Sequence, residues 1–223
     1  MIPPPGTFAG GESARPAQAL RAAPGGGMSR RTGKLFVISS PSGGGKTTVV
    51  RALLARLGGL TRSVSMTTRP RRPSERNGAD YRFVSPPAFA RLQARRGFLE
   101  WARVHQALYG TPRAPVERAL ARGQDVILSL DVQGARQVKR RFGSRATLVF
   151  LLPPSMNDLR ARLVKRRTDS PEAIRVRLAA ARREVACARR YDYAVVNRRL
   201  HEAVEQLTAI VIAERLRVHR ARG

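Results

Sequence analysis

The segment from Leu35 to Val50 has the residue types and the spacing of a phosphate-binding turn. Its apolar start at 35–38 predicts a buried strand, and the apolar residues that recur from Val49 to Leu57 predict a helix. Between strand and helix lie Ser40, Pro41, Ser42, Gly43, Gly44, Gly45, Lys46 and Thr47. The sequence therefore predicts a strand, a glycine-rich turn and a helix that starts at the Gly-Lys-Thr triplet.

Such a turn can hold the phosphates of a nucleotide. Its glycines reach backbone conformations that other residues avoid, and they leave the N–H groups uncovered. The following helix adds partial positive charge, the Lys46 ammonium suits phosphate oxygens, and the Thr47 hydroxyl suits Mg²⁺. The usual pattern has a glycine where this chain has Ser40. The alternative interpretation is a glycine-rich turn without a ligand.

A carboxylate for the same site is expected at the end of another strand. The apolar run at 125–131 predicts a buried strand, and Asp131 stands at its carboxyl end. In enzymes with a phosphate loop, an acidic residue at this place lies within reach of Mg²⁺ or its water ligands. Asp131 is therefore a candidate metal-site residue together with Thr47. The alternative is an aspartate that only forms a turn.

A third group of residues offers donors and acceptors for a nucleoside monophosphate. The donors suited to a phosphate dianion are Arg69, Arg72, Tyr81 and Tyr109. A carboxylate such as that of Glu100 can accept the adjacent N1–H and N2–H of guanine, a donor pair that adenine lacks. The hydroxyls of Ser65 and Thr111 could serve O6 and N7. Taken singly, each residue could instead be a surface residue or a cross-strand partner.

Basic residues crowd the segment 160–177, around Thr168-Asp169-Ser170. They are Arg160, Arg162, Lys165, Arg166, Arg167, Arg175 and Arg177. A mobile loop of this charge between two helices could close over ATP and stabilise the transferring phosphoryl group. A solvated charged face is the alternative.

The composition bounds the classes of protein that remain. The 223 residues suffice for one α/β core with a small inserted lobe, and the net charge of +28 should attract polyanions. Part of this charge could reflect the compositional bias of the source genome. A single cysteine, Cys187, excludes an internal disulfide, and the three histidines share no metal-ligand spacing. No apolar run has the length of a membrane helix.

Strands and helices alternate along most of the chain. Further strands are predicted at 98–102, 146–152 and 193–196, and helices are predicted to start near Pro86, Pro112, Ser155, Pro171 and Leu200. This alternation predicts an α/β fold with a parallel sheet flanked by helices. We expect a disordered tail at 1–33, a core at 34–61 and 123–217, an inserted mixed α/β lobe at 62–122, a helical lid at 160–177 and a tail at 218–223.

Six segments resemble the guanylate kinase family in their order and spacing. They are SSPSGGGKT, SVSMTTRPRRPSERNGADYRFVS, FLEWA, YGT, LDVQG and VVN, and the resemblance covers residues 34–217. It implies the ATP-dependent phosphorylation of GMP or dGMP with Mg²⁺. The implied partners are ATP and GMP, in the cytoplasm, without a specific nucleic acid or a membrane.

The resemblance also implies roles for single residues. Those expected to bind GMP are Ser65, Arg69, Arg72, Tyr81, Glu100, Tyr109 and Thr111. Those expected to stabilise the phosphoryl group are Lys46, Arg162, Arg166 and Arg177, while residues 40–47 and Asn197 would bind ATP. The family usually has an acidic residue where this chain has Ser129, so one guanine-side or metal–water contact stays open, although Asp131 remains.

Three other interpretations stay open. A related kinase for a sugar phosphate would share the phosphate loop but would not need Glu100. A non-catalytic interaction module of the same fold would not need the intact Gly45, Lys46 and Thr47. A nucleic-acid-binding protein would explain the positive charge, but the sequence has no aromatic-rich RNA motif.

Overall fold

The computed structural model describes residues 32–73, 75–104, 106–165 and 170–217. At its centre is a parallel sheet of five strands: β1 (Leu35–Ser39), β2 (Leu60–Arg62), β7 (Asp125–Ser129), β8 (Ala146–Leu152) and β9 (Tyr193–Val196). Their order is β2-β7-β1-β8-β9, and each neighbouring pair is parallel.

Both faces of this sheet are covered by helices. Phe36 and Ile38 of β1 pack in one buried cluster with residues of α1 (Lys46–Arg56) and α7 (Leu200–Leu216). Leu35 and Val37 point to the opposite face, where they pack with residues of α3 (Arg113–Ala121) and α4 (Val132–Phe142). The strand is apolar throughout because it is buried on both sides. The α/β fold predicted from the sequence is confirmed.

The inserted segment builds a second, mixed sheet. Its strands are β3 (Met66–Thr67), β4 (Arg82–Phe83), β5 (Phe98–Val104) and β6 (Ala107–Pro112), in the order β4-β3-β6-β5. Only β3 and β4 pair in parallel. Helix α2 (Pro86–Ala94) packs on this sheet through Phe89, whose ring stacks on that of Phe98 with centroids 4.4 Å apart. These elements form a small mixed α/β lobe, while α3, which also falls in the expected range 62–122, packs on the central sheet.

Two further helices cover the turn after β1. Helices α5 (Met156–Lys165) and α6 (Pro171–Ala186) pack together through Leu159, Leu163 and Ala181. A Cβ on Gly43 would lie 3.0 Å from Leu163, so α5 lies directly against the glycine-rich turn. In the described part of the chain, no helix combines the length and the apolar character needed to span a bilayer.

Several elements go beyond the sequence-based expectation, among them β6 and α4. Strand β6 lies directly before the helix start predicted near Pro112, and it forms through its pairing with β3 and β5 although it contains a glycine. Helix α4 was not predicted either. Its buried residues are only Gly134, Ala135 and Val138, so its apolar stripe is too narrow to indicate a helix.

Candidate active site

The turn between β1 and α1 has the backbone of a phosphate cradle. Gly43 and Gly45 both have φ of +89°, in the left-handed region that glycine tolerates best. Gly44 is needed for space instead, because a Cβ there would lie 2.9 Å from the Cβ of Ser40. Gly45 caps α1 without a side-chain hydrogen bond. The first N–H groups of the helix are therefore left for an anion.

Asn197, directly after β9, supports this loop from behind. Its Nδ2 donates to the Gly44 carbonyl over 2.8 Å, and the residue is buried. Its own carbonyl accepts a hydrogen bond of 2.9 Å from the Arg162 guanidinium. The resemblance implies an adenine-side contact for Asn197. Here the side-chain amide of Asn197 donates to the phosphate loop. Arg162 contacts the backbone carbonyl of Asn197 and so supports the loop indirectly.

The Lys46 ammonium lies at the carboxyl end of β7. Its Nζ donates to the Leu130 carbonyl over 2.7 Å. Burial lowers the pKa of Lys46, and the carboxylates of Asp131, Glu184 and Glu100 act in the opposite direction. The cation is thus held beside three carboxylates from three different elements, at the place where nucleotide phosphates would enter.

Asp131 both lines the cleft and caps a helix. Its Oδ1 accepts a hydrogen bond of 2.8 Å from the backbone N–H of Gly134, in the first turn of α4. Ser129, the last residue of β7, lines the same cleft. Asp131 therefore forms the turn before α4 and also lies in the cleft, so the two interpretations do not exclude each other.

The carboxylate beside Lys46 and the hydroxyl of the next residue in the chain are the oxygen ligands available to a Mg²⁺ ion that arrives with a nucleotide. Thr47 lies in the first turn of α1, and the Asp131 carboxylate adds a hard oxygen ligand. Among the described residues, no group of three or more His, Cys, Asp or Glu could hold a metal by itself. A bound Mg²⁺ would therefore need phosphate oxygens and water to complete its ligands.

Glu184 of α6 is a cleft residue that the sequence analysis does not identify. It lines the cleft together with Lys46, Asp131 and Arg177. Burial raises the pKa of Glu184, while the Lys46 ammonium and the backbone N–H of Ser42 counteract this rise. The sequence offers no signal for it, because only the packing of α6 beside the phosphate loop brings the carboxylate there.

Glu100 is the buried acidic residue of the lobe, with 4% of its surface exposed. Its Oε1 accepts a hydrogen bond of 2.6 Å from the Thr111 hydroxyl, which lies 3.4 Å from the Ser65 hydroxyl. Burial raises the pKa of Glu100 to about 7, against the effect of the Thr111 hydrogen bond. A Cβ on Gly134 would lie 2.6 Å from Oε2. Helix α4 therefore closes one side of this carboxylate.

Arg69 is held in a polar network within the lobe. Its guanidinium donates to both carboxylate oxygens of Glu75, over 2.7 and 2.5 Å, and its Nε donates to the Tyr109 hydroxyl over 3.1 Å. It also lies over the Tyr81 ring, 5.2 Å from the centroid. The Arg69 guanidinium lowers the pKa of Glu75. The sequence analysis does not identify Glu75. Its carboxylate binds the guanidinium of Arg69, the group that is predicted to bind the phosphate of the nucleotide.

One cleft of about 270 Å³ brings most of the predicted residues together. Its lining includes Ser40, Ser42, Lys46, Ser65, Arg72, Tyr81, Glu100, Tyr109, Ser129, Asp131 and Arg177. Arg69 and Thr111 join this set through their bonds to Tyr109 and Glu100. Arg166 lies outside the described residues. The cleft thus joins a phosphate cradle on one side to a carboxylate among tyrosines and arginines on the other.

Comparisons with known proteins agree with this geometry. The family model described as "Guanylate kinase" matches residues 32–214. The chain belongs to the guanylate kinase family. A guanylate kinase from Thermus thermophilus is 54% identical over 185 residues, which cover 83% of each protein. One from Rhizobium etli is 48% identical over 193 residues, which cover 86% of this chain and 88% of the relative.

A solved structure leads to the same family. The crystal structure of guanylate kinase from Anaplasma phagocytophilum superposes with a TM-score of 0.72 at 32% identity, and the match covers 86% of this chain and 91% of that chain. The resemblance seen in the six sequence segments is thereby confirmed.

Proposed function

We propose that this protein transfers the terminal phosphoryl group of ATP to GMP or dGMP, and so forms the diphosphate and ADP. The observation that carries this proposal is that buried Glu100 shares one cleft with Lys46. A carboxylate suited to guanine therefore faces the phosphate loop. Membership of the guanylate kinase family supports the same reaction.

Guanine would be selected by the carboxylate of Glu100. When ionised, it accepts from both N1–H and N2–H of the base, whereas adenine would leave the buried oxygens without donors. The Ser65 hydroxyl lies beside it and can donate to the O6 and N7 side, while the Thr111 hydroxyl donates to the Glu100 carboxylate and would have to turn away from it to donate to the base. Ser129 offers a further hydroxyl in the same cleft.

The phosphate of GMP would be bound by the arginines and tyrosines of the lobe. Arg72, Tyr81 and Tyr109 line the cleft, and Arg69 contacts Tyr109. In the structure Glu75 accepts both arms of Arg69. We expect the phosphate dianion to compete with this carboxylate, because both bind the same planar fork.

ATP would be held by the phosphate loop, residues 40–47, with its terminal phosphates beside Lys46. Arg162, Arg166 and Arg177 would add positive charge from the lid. Asn197 would keep the loop in place for the adenine nucleotide through its bond to Gly44. Lid and lobe would close on the two nucleotides and exclude water, which suppresses ATP hydrolysis.

The transfer itself needs positioning and charge more than proton transfer. An oxygen of the GMP phosphate forms the new bond to the γ-phosphorus, while the bond from that phosphorus to the β–γ bridging oxygen breaks and ADP leaves. The GMP phosphate is ionised at neutral pH, so no protein base is required. Lys46 and the lid arginines would offset the repulsion between the two polyanions.

Thr47 and Asp131 would hold Mg²⁺ or its water ligands. Bound with ATP, the ion supplies positive charge to the phosphate oxygens. The lone cysteine, Cys187, is a free thiol. This agrees with our proposal that the protein acts in the reducing cytoplasm.

A coupled assay of ADP release with different acceptors tests the proposal. We expect turnover with GMP and dGMP, and rates lower by several orders of magnitude with AMP, UMP and ribose 5-phosphate. Lys46→Ala should abolish turnover with an unchanged circular dichroism spectrum. Equal turnover of AMP, or of a sugar phosphate, would contradict the assignment of Glu100.

A further inference from the structure

A second cavity, of about 350 Å³, lies between the lobe and the central sheet. It is lined by β2, by the connection that leaves it, by β4 and by α3, and we call it the back cavity. Four arginines belong to its lining: Arg62, Arg82, Arg118 and Arg122. Within the described ranges, no acidic side chain lines it.

Most of this positive charge has no counterion among the residues that the structure describes. Arg62 donates to the carbonyls of Ala79 and Asp80, over 3.0 and 2.5 Å. The guanidinium groups of Arg82, Arg118 and Arg122 form no hydrogen bond or ion pair with another described residue. The acidic neighbour on α3, Glu117, lies instead 3.7 Å from Arg141. Three cations without a partner in the described part of the chain therefore line one concave surface.

The back cavity is distinct from the nucleotide cleft. Tyr81 lines the cleft and the next residue, Arg82, lines the back cavity. Successive side chains of an extended segment point to opposite sides, so the cavity lies behind the lobe. Arg118 and Arg122 are one turn apart on and just after α3, which packs on the central sheet. An anion between Arg82 and this pair would join the lobe to the core.

We propose that the back cavity binds an oligophosphate, either inorganic or the phosphate chain of a nucleotide, through Arg82, Arg118 and Arg122. Three charges from two parts of the molecule match a multivalent anion better than a single phosphate. A concave site of this volume suits a small molecule. Val116 and Val126 give it an apolar floor against which the charges are less screened by water.

Site-resolved chemical protection tests this proposal without interference from the phosphate loop. The full-length protein is treated with phenylglyoxal with and without tripolyphosphate, and modification of each arginine is read by peptide mass spectrometry. We expect tripolyphosphate to protect Arg82, Arg118 and Arg122 from modification. Inorganic phosphate, at a concentration that gives the same total anionic charge, should protect them less. A parallel arm with a non-hydrolysable ATP analogue distinguishes the two sources: protection by both ligands assigns the cavity to any triphosphate chain, and protection by tripolyphosphate alone assigns it to the inorganic form.

Titration calorimetry of a charge-reversal variant gives the second measurement. We expect the wild type to bind tripolyphosphate at two sites, the phosphate loop and the back cavity, and Arg118→Glu/Arg122→Glu to lose one of them. The matched control is Arg91→Glu/Arg95→Glu. This is an exposed pair with the same spacing, on and just after α2 and outside the cavity. It should bind like the wild type, with unchanged GMP turnover in both variants.

Three results would overturn the proposal. The first is unchanged modification of Arg118 and Arg122 with tripolyphosphate. The second is an equal number of sites in the wild type and in the Arg118→Glu/Arg122→Glu variant. The third is protection of these arginines by a random oligonucleotide but not by tripolyphosphate, which would assign the cavity to nucleic acid.

Discussion

Glu100 combines a requirement for charge with a position that disfavours charge. Its carboxylate is buried, and burial raises its pKa to about 7. Guanine would donate two hydrogen bonds to the ionised form, so ligand binding and ionisation should favour each other. If Glu100 selects the base as proposed, this selection should depend on pH through the ionisation of this single residue.

The affinity for GMP should depend on the protonation of Glu100. Between pH 8 and pH 6 we expect KM for GMP to rise about tenfold, because the protonated carboxyl offers one acceptor fewer to guanine. Steady-state kinetics across this range measures the change. Glu100→Gln is the control for the titration of the GMP phosphate itself. A wild-type profile parallel to that of the variant would contradict the assignment.

The same residue should reduce the stability of the unliganded protein. The pKa of Glu100 is higher in the folded protein than its ordinary value of 4.5, so stability is lost as pH rises from about 4.5 through about 7. Glu100→Gln should therefore raise the free energy of unfolding at pH 8 by about 1–3 kcal/mol, while turnover of GMP falls strongly. Denaturant unfolding at pH 4.5 and pH 8 measures this. Glu117→Gln, a replacement at an exposed position, should change neither the free energy of unfolding nor the turnover of GMP.

Glu184 places negative charge beside the phosphate loop. Glu184→Gln removes a partly buried carboxylate near Lys46. In the presence of a chelator that removes Mg²⁺, we therefore expect the variant to bind ADP a few-fold more tightly than the wild type does. Titration calorimetry with and without Mg²⁺ is the measurement. Weaker or unchanged binding of ADP without Mg²⁺ would show that the carboxylate does not repel the phosphates.

At the scale of elements, the phosphate loop is held by its own glycines and by Asn197, the residue that follows β9. Gly45 has a positive φ, and a Cβ there would lie 2.5 Å from the Asn197 amide. Gly45→Ala should therefore destabilise the protein by about 1–3 kcal/mol and lower kcat/KM for ATP at least about tenfold. Gly58→Ala is the matched control, because a Cβ on Gly58 would meet no atom within 4 Å.

Thermal unfolding and ATP kinetics of the two glycine variants separate strain from a general loss of glycine. If Gly58→Ala lost as much stability as Gly45→Ala, the conclusion that the backbone conformation of the loop requires a glycine at position 45 would be wrong. If Gly45→Ala kept normal ATP kinetics, the loop would not hold the donor phosphates.

The predictable elements were those whose signal is local in the sequence. The strand, the glycines and the helix at 35–56 are contiguous, so their pattern alone indicates them. Strand β6 and helix α4 depend on distant partners for burial, and their own residues carry weak periodicity. The contact of Asn197 with Gly44 spans 153 residues. Glu184 likewise enters the cleft only through helix packing, which no local pattern reports.

At the scale of the whole molecule, a buried ion pair joins the last helix to the central sheet. Asp125 accepts hydrogen bonds from the Lys34 backbone N–H and from Arg215 of α7, each over 2.7 Å. Its side chain is 2% exposed, and that of Arg215 is 20% exposed. The carboxylate thus connects the start of β1, the start of β7 and the end of α7.

Loss of this carboxylate should be costly. Asp125→Ala leaves the guanidinium of Arg215 without its main partner, and we expect a loss of about 3–5 kcal/mol in the free energy of unfolding. Glu117→Ala, which breaks an exposed pair with Arg141, should change stability by less than about 1 kcal/mol. Denaturant unfolding of the two variants measures the two losses of stability. Equal losses would mean that burial of the pair is irrelevant.

The close approach of Gly134 to Glu100 restricts how base preference could be redesigned. The carboxylate comes from the lobe and the glycine from a helix of the core, so the two parts of the molecule together shape the proposed guanine site. A longer side chain at 134 has no room unless position 100 is shortened first. A library aimed at accepting another purine should therefore vary both positions at once, because either change alone leads to a collision or an empty space.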